Sequence, residues 1–255
     1  MIPRLAITHL PSPRLQECQR TFVPGEPIDG ELAARQHASY CQALRDLGVA
    51  VRRLDANGDS PDGVFIEDTA VVLDEIAILA RMGASARQAE PSGIAPALGE
   101  YRDVVPLGKG TLEGGDVLRL GRTLLVGRSC RTSAEGIESL AGIVSRYGYQ
   151  VIAIPIERCL HLKTACTALP DGRLLIDPDW ISSDRLAEQR LHCMPAPEPW
   201  GANVLLVGET ILLPAAHART AESLDQAGYQ VTTVDISEFA KAEGGVTCLS
   251  LLVPG

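Results

Sequence analysis

The tetrapeptide Gly-Tyr-Gln-Val occurs twice in the sequence, at 148–151 and at 228–231. Each copy lies between an amphipathic, helix-like stretch and a β-rich stretch. Glycine readily adopts the left-handed conformation that ends a helix, so each tetrapeptide marks a helix end followed directly by a strand. A chain that repeats such a module is built from copies of one small unit, and this constrains its fold more than any other feature.

The same order of helix, break and strand is predicted at three further places, which gives five copies with a period of about 50 residues. The predicted helix–strand pairs are 33–47 with 49–54, 94–101 with 104–107, 134–146 with 152–156, 184–191 with 193–195, and 221–227 with 232–236. After each pair comes a short polar junction and then more strand sequence. These strand segments are 71–73 and 76–80, 117–120 and 123–126, 168–169 and 174–176, 204–207 and 210–213, and 249–253. Each unit therefore reads as ββαβ.

A unit of this size cannot bury its own apolar face, so the five units must pack together, and a closed ring is the natural arrangement. We therefore predict an α/β fold with pseudo-five-fold symmetry, in a single domain spanning residues 1–255. The alternative is a two-layer α/β sandwich with polar turns scattered over its surface. In a ring the polar junctions meet at the axis. This would bring together Glu67, Asp68, Glu113, His161, Asn203 and Cys248.

Two residues at these junctions suit nucleophilic catalysis. Cys248 follows Gly244 and Gly245, which allow a close approach, and its thiolate would form readily beside a cation. His161 titrates near neutrality, so it can both donate and accept a proton in one reaction cycle. Glu113 is the carboxylate expected to orient that histidine. Each of these residues, taken alone, also fits a structural role.

Glu67 and Asp68 are adjacent acids that follow the apolar segment 64–66, and Asp62 lies just upstream. A carboxylate beside buried apolar residues requires a partner, and a planar guanidinium donates hydrogen bonds in a geometry that matches it. These acids therefore predict a site for a guanidinium-type cation, with a solvated turn as the alternative. Arg87 and Arg131 could hold an anionic end of the same substrate, or lie on the surface.

Charge and cysteine content limit the classes of function. The net charge of −9 suits a small cationic substrate and argues against nucleic acid as the main partner. No apolar run reaches the ~18 residues that span a bilayer, and residues 1–10 lack a secretory core, so we expect a cytoplasmic protein without a membrane partner. The seven cysteines include no CxxC pair, so no zinc site is predicted, and six of them are expected in the core.

Five ordered segments resemble the pentein superfamily of guanidine-modifying enzymes, and most closely its dimethylarginine dimethylaminohydrolase family. They are PDGVFIEDTA (61–70), LEGGDVL (112–118), GRSCRTSAEG (127–136), LHLKTA (160–165) and GGVTCLSL (244–251). The resemblance implies a five-bladed α/β propeller of ββαβ units, which agrees with the ring predicted from the repeat. It implies a reaction that needs no metal ion and no organic cofactor.

The resemblance also implies a role for each matching residue. Cys248 becomes the nucleophile, His161 the acid and base, and Glu113 its partner. Asp68, with Glu67 and Asp62, faces the guanidinium, while two arginines bind the substrate carboxylate. The residues expected to bind substrate are Asp62, Phe65, Glu67, Asp68, Arg87, Arg131 and Thr247, the last of which stands where a serine is usual.

Within this resemblance, Lys163 indicates the branch of the pentein superfamily. Superfamily members that act on free arginine or agmatine typically carry an acid at this position, two residues after the histidine. The resemblance therefore implies hydrolysis of Nω,Nω-dimethyl-L-arginine to L-citrulline and dimethylamine through a thiouronium intermediate on Cys248. In the family the N-terminal loop, here residues 11–27, is a lid over the substrate, and its divergence here leaves the substrate open.

Three alternatives stay open. The enzyme could act on citrulline, N-hydroxyarginine, arginine or another ureido or guanidino amino acid. The chain could also bind an arginine-like ligand without turnover, or act as a redox-sensing thiol protein. If the chain is a hydrolase, its expected partner is a small molecule, and whether the chain forms a homodimer is left open.

Overall fold

The computed structural model describes residues 3–187 and 191–255 and arranges them in five small sheets around a central axis. Each sheet has three strands. The strands are β1 (Leu5–His9), β2 (Ala50–Leu54), β3 (Ala70–Val72), β4 (Ile76–Leu79), β5 (Asp103–Pro106), β6 (Val117–Leu120), β7 (Thr123–Arg128), β8 (Gln150–Pro155), β9 (Cys166–Ala168), β10 (Leu174–Ile176), β11 (Cys193–Pro195), β12 (Leu205–Val207), β13 (Thr210–Pro214), β14 (Gln230–Val234) and β15 (Leu251–Val253).

All five sheets share one pattern of pairing. The middle strand runs antiparallel to one neighbour and parallel to the other, as in β3–β4–β5 and β6–β7–β8. The antiparallel neighbour precedes the middle strand in four sheets, and in the fifth it is β15. A tight hairpin suffices for the antiparallel step, whereas the parallel step needs a crossover, which a helix supplies in each unit. The predicted ring of ββαβ units is confirmed, and the sandwich alternative is wrong.

The ring is closed by the two ends of the chain. Strand β1 lies between β15 and β2, with Leu5 opposite both Val253 and Ala50. Strand β1 was not predicted, because a segment of five residues with three apolar ones and no preceding helix gives no periodic signal. The predicted unit that contains helix 33–47 therefore takes its first strand, β15, from the C-terminal end of the chain.

Seven α-helices lie among the described residues. They are α1 (Gly30–Asp46), α2 (Glu90–Gly99), α3 (Ala134–Val144), α4 (Leu162–Ala165), α5 (Ser183–Ala187), α6 (Ala218–Gln226) and α7 (Ser237–Ala240). The predicted crossover helices are present, with ends displaced by a few residues. Side-chain caps fix two starts, since Asp29 accepts from the Leu32 N–H and Ser133 from the Gly136 N–H. Part of the predicted helix 184–191 lies outside the described residues.

The apolar core consists of five clusters, and each cluster joins two neighbouring sheets. Ile7 of β1 and Ala77 of β4, for example, belong to one cluster, and Val126 of β7 shares another with Ile78 of β4. The other three continue this arrangement around the ring. A single unit therefore has no core of its own, which is the physical reason that five units must assemble.

Three cavities are found in the described part of the chain, and one of about 270 Å³ is lined by Val23, Asn203 and Glu243 among others. A small one is lined by polar junction residues, whereas a large one of about 690 Å³ is lined mainly by the strands β3, β6, β12 and β15. No helix in the described part of the chain has the length and apolar character needed to cross a membrane.

Candidate active site

Cys248 lies in the wall of the small cavity, just before β15. Its Sγ accepts a hydrogen bond from the Gly245 N–H at 3.3 Å, and its own N–H donates to the Gly245 carbonyl. Burial raises the pKa of the thiol to about 12, and the carboxylates of Glu67 and Asp68 add to this shift. At neutral pH the unliganded site therefore holds a neutral thiol, which a bound cation would help to ionise.

His161 stands just before α4 and faces two carboxylates. Its Nε2 lies 2.8 Å from Oε2 of Glu113, and its Nδ1 lies 3.7 Å from Oδ1 of Asp68. Burial by itself would lower the pKa of His161, but Asp68 and Glu113 outweigh it and raise that pKa to about 9. The imidazole is therefore charged at neutral pH and ready to act as an acid.

Glu113 is fully buried and lies at the centre of the hydrogen-bond network around His161. Burial alone would raise its pKa, but the hydrogen bond and charge of His161 hold that pKa below its usual value. Its Oε1 accepts from the Gly83 and Ala84 N–H groups at 3.0 and 3.1 Å. These contacts fix the carboxylate, and hence the ring of His161, in one orientation.

Asp68 and Arg87 form a buried ion pair of 2.6 Å. The other carboxylate oxygen of Asp68 accepts from the Gly115 N–H, and Arg87 also donates to Glu90 at 2.8 Å and to the Phe65 carbonyl. Burial opposes ionisation of Asp68, but His161 and Arg87 keep its pKa below the usual value. In this structure Arg87 contacts the acid expected to face the guanidinium, so binding a substrate carboxylate as well would require Arg87 to move.

The remaining predicted contacts reach the cavity from other sides. Arg131 lines it, with its guanidinium 3.5 Å from Oε1 of Glu113. Asp62 accepts from the Gln19 N–H at 3.2 Å, and burial raises the pKa of Asp62 to about 6. Phe65 forms an apolar wall and packs edge-to-face on Phe239.

Glu67 and Thr247 line the large cavity and not the small one. The Glu67 carboxylate lies 2.5 Å from the Lys163 ammonium and accepts from the Thr247 hydroxyl at 2.9 Å. Asn203 donates to that hydroxyl and to the Lys163 carbonyl. In this structure the polar groups of Glu67 and Thr247 are used by Lys163 and by each other, and their contact with substrate stays a prediction.

Several residues of the small cavity escaped the sequence analysis. They are Gln19, Leu160, Ala242 and Glu243. Gln19 comes from the N-terminal loop, whose approach to the axis has no sequence signal, whereas the others adjoin motifs that were recognised. The cavity they enclose measures about 20 Å³, which suits one water molecule and is far too small for an arginine side chain.

A cluster of metal-ligand type lies in the same place. Donor atoms of Asp68, Glu113 and His161 lie within 4.8 Å of one another. Oxygen and imidazole donors in this number could bind a divalent ion, which would compete with the proton that His161 and Glu113 share.

Comparison with known proteins decides the family. Residues 58–192 match the arginine deiminase family. Over 254 residues the chain is 41% identical to N(G),N(G)-dimethylarginine dimethylaminohydrolase of Streptomyces coelicolor, which covers 98% of this chain and 97% of the relative. This chain belongs to the dimethylarginine dimethylaminohydrolase family.

Solved structures of that family share the fold over nearly the whole chain. A cysteine-to-serine mutant of the Pseudomonas aeruginosa enzyme, complexed with citrulline, superposes with a TM-score of 0.91 at 30% identity, covering 99% of this chain and all of the other. A histidine-to-glycine variant of dimethylarginine dimethylaminohydrolase, present as an adduct with S-methyl-L-thiocitrulline, has a TM-score of 0.90 at 30% identity with the same coverage. The resemblance in the sequence motifs thus extends to the entire architecture.

Proposed function

We propose that the protein hydrolyses Nω,Nω-dimethyl-L-arginine to L-citrulline and dimethylamine. The observation that carries the proposal is the convergence of a thiol, a charged imidazole with its carboxylate, and a second carboxylate on one cavity. Each supports a different need of the reaction: a nucleophile, a proton donor and a partner for the substrate cation. Their placement in a chain 41% identical to a named dimethylarginine dimethylaminohydrolase supports the same assignment.

Substrate binding prepares the nucleophile. The guanidinium of the substrate brings a positive charge next to Asp68 and Cys248, which stabilises the thiolate and lowers the pKa of Cys248 from about 12. The proton of the thiol leaves to solvent. The thiolate then attacks the guanidinium carbon, and the resulting tetrahedral adduct carries three neutral nitrogens.

His161 supplies the proton that the first step requires. The charged imidazole protonates the dimethylated nitrogen, the C–N bond breaks, and dimethylamine leaves. What remains on Cys248 is an alkylthiouronium cation beside a now neutral His161. The imidazole takes a proton from water, the hydroxide adds to the thiouronium carbon, and the C–S bond breaks to release citrulline, a proton and the thiolate.

The pair formed by Lys163 and Glu67 supports an alkylated substrate. Because the Lys163 ammonium lies 2.5 Å from the Glu67 carboxylate, the negative charge of Glu67 is neutralised. A site for an unsubstituted guanidinium would use a second free carboxylate to bind the extra N–H groups. With Glu67 occupied, Asp68 is the acid left beside the nucleophile, which suits a guanidinium whose far end carries two methyl groups.

The other contacts are assigned from their places around the cavity. We assign the substrate carboxylate to Arg131, with Arg87 joining it after release from Asp68. Asp62 accepts from the Gln19 N–H of the N-terminal loop and contributes a further negative charge for a cationic substrate. The setting is proposed in the same way: one catalytic domain in the cytoplasm, acting on a small molecule, with size-exclusion chromatography to decide whether it is a homodimer.

Mass spectrometry of the products tests the function. The pure protein is incubated separately with dimethylarginine, arginine and citrulline, beside Cys248→Ala as control. Dimethylamine and citrulline formed from dimethylarginine by the wild type alone support the proposal. Ornithine formed from citrulline, or citrulline formed faster from arginine than from dimethylarginine, would assign the same site to another substrate. Robust turnover by Cys248→Ala would refute the mechanism.

A further inference from the structure

Glu243 occupies an unusual position in the wall of the small cavity. It lies five residues before Cys248 and adopts φ 61°, a left-handed conformation that residues with a side chain rarely take. Its side chain is 7% exposed, although a carboxylate is normally solvated. A strained backbone and a buried charge beside a nucleophile call for a function.

The carboxylate of Glu243 is bound by the N-terminal loop. Its Oε1 accepts from three consecutive backbone N–H groups, those of Thr21 at 2.6 Å, Phe22, and Val23 at 2.8 Å. Successive amides that point at one anion form a strong concave binding site. The side chain thus joins segments about 220 residues apart in sequence, and it does so through backbone groups that any loop sequence would offer.

Little else holds this part of the loop. Thr21 and Phe22 are exposed, and the Phe22 side chain is 42% exposed although it is a large apolar group. On its N-terminal side the loop is tied by the Gln19 N–H to Asp62. The loop, whose Gln19 lines the cavity, is therefore held mainly by hydrogen bonds to carboxylates, and these can break and re-form without disturbing an apolar core.

The turn that carries Glu243 also holds the nucleophile. Two residues further on, the Gly245 N–H donates to Sγ of Cys248, and the Gly245 carbonyl accepts from the Cys248 N–H. One short turn thus holds the loop through a side chain and the thiol through its backbone. Residues 243–245 thus connect the loop to the sulfur through one continuous stretch of backbone.

We propose that Glu243 is a positioning residue that latches the loop 19–23 over the cavity and holds the turn that places Cys248. The cavity of about 20 Å³ cannot hold an arginine side chain as it stands, so the loop must shift to admit substrate and then re-form its hydrogen bonds to Glu243 around the bound molecule. The kinetic part of this inference rests on the proposed function, whereas the latch itself does not.

Three variants separate the latch from its alternatives. Glu243→Ala removes all three hydrogen bonds, and Glu243→Gln keeps an oxygen acceptor but loses the charge. Glu26→Gln is the matched control, because it removes an exposed carboxylate from the same loop. Thermal unfolding by circular dichroism shows which variants are folded, and Glu243→Gln carries the test if Glu243→Ala is not.

Two readouts need no substrate. Amide hydrogen exchange of the peptide containing residues 21–23 should accelerate by roughly tenfold to a hundredfold in Glu243→Ala, the range expected for one lost charge-assisted hydrogen bond. Alkylation of Cys248 by iodoacetamide, followed at that peptide by mass spectrometry, should accelerate as well. Glu243→Gln should show smaller changes in the same direction, and Glu26→Gln should match the wild type.

Kinetics with dimethylarginine supply the third readout. We expect KM to rise by about tenfold or more in Glu243→Ala, with a smaller fall in kcat and partial recovery in Glu243→Gln. Unchanged exchange and alkylation in a folded Glu243→Ala variant would overturn the latch. A wild type that does not act on dimethylarginine would refute the proposed function alone, since exchange and alkylation still decide the latch.

Discussion

Two buried carboxylates on the axis, Glu113 and Glu67, are each paired with a base from the same short segment. Glu113 binds His161 in the small polar cavity, and Glu67 binds Lys163 at the wall of the large apolar one. Neighbouring carboxylates raise the pKa of His161 to about 9, so the imidazole can exchange its proton during a reaction, whereas Lys163 forms a short ion pair with Glu67. We therefore expect the same architectural position to serve catalysis on one side and charge balance on the other.

Among the residues that support His161 and Cys248, the replacement of Glu113 should reduce activity most. In Glu113→Gln the amide can still contact His161 but no longer stabilises the imidazolium, so kcat should fall roughly a hundredfold. Steady-state kinetics with dimethylarginine measure this loss. A matched Glu67→Gln variant should retain most of the activity, and equal losses in the two variants would erase the distinction between the two sides.

The pH profile sharpens the comparison further. Below pH 9 the free site carries two protons, one on the Cys248 thiol and one on the His161 imidazolium. The reactive form, which has a thiolate and an imidazolium, carries one proton fewer. Hence kcat/KM should rise with pH, by up to about tenfold per unit, and level off near pH 9, where His161 itself loses its proton. Glu113→Gln removes a charge that raises the pKa of His161, so its plateau should begin at lower pH. A wild-type plateau that begins below neutrality would contradict the raised pKa.

The smallest kinetic effect is expected on the other side of the axis. Lys163→Met leaves the Glu67 carboxylate without its cation, which should cost about 2 kcal/mol of unfolding free energy, less than for a fully buried pair because Lys163 keeps some exposure. Urea unfolding measures the loss. The double variant Glu67→Gln with Lys163→Met should recover most of it, and kcat in the double variant should stay within about fivefold of the wild type. No recovery would show that Lys163 acts through other contacts.

The sequence predicted the structure best at the positions that the repeat determines. Gly148 and Gly228 end a helical element with positive φ, as the repeated tetrapeptide indicated, and the junction residues Cys248, His161 and Glu113 meet as a ring requires. These predictions succeed because a repeated unit fixes the position of every copy once the ring closes.

Other features depend on contacts that local sequence does not encode. Glu67 and Asp68 are adjacent in sequence but line different cavities, because both lie in one turn of 3-10 helix, Ile66–Thr69, which points successive side chains in different directions. Arg87 lies against Asp68 because Glu90 and the Phe65 carbonyl hold it there. The latch from Glu243 to the N-terminal loop joins the two ends of the chain, which no short motif reports.

The central claim is that Cys248 forms a covalent thiouronium and that His161 activates the water that releases it. His161→Gly incubated with S-methyl-L-thiocitrulline tests it, because methanethiolate leaves without needing an acid while release of the adduct still needs the base. After acid quenching, peptide mass spectrometry should find the adduct accumulated on Cys248 in His161→Gly and scarce in the wild type. If Cys248 stays unmodified in the variant, or if the adduct lies on another cysteine, the account of this site is wrong.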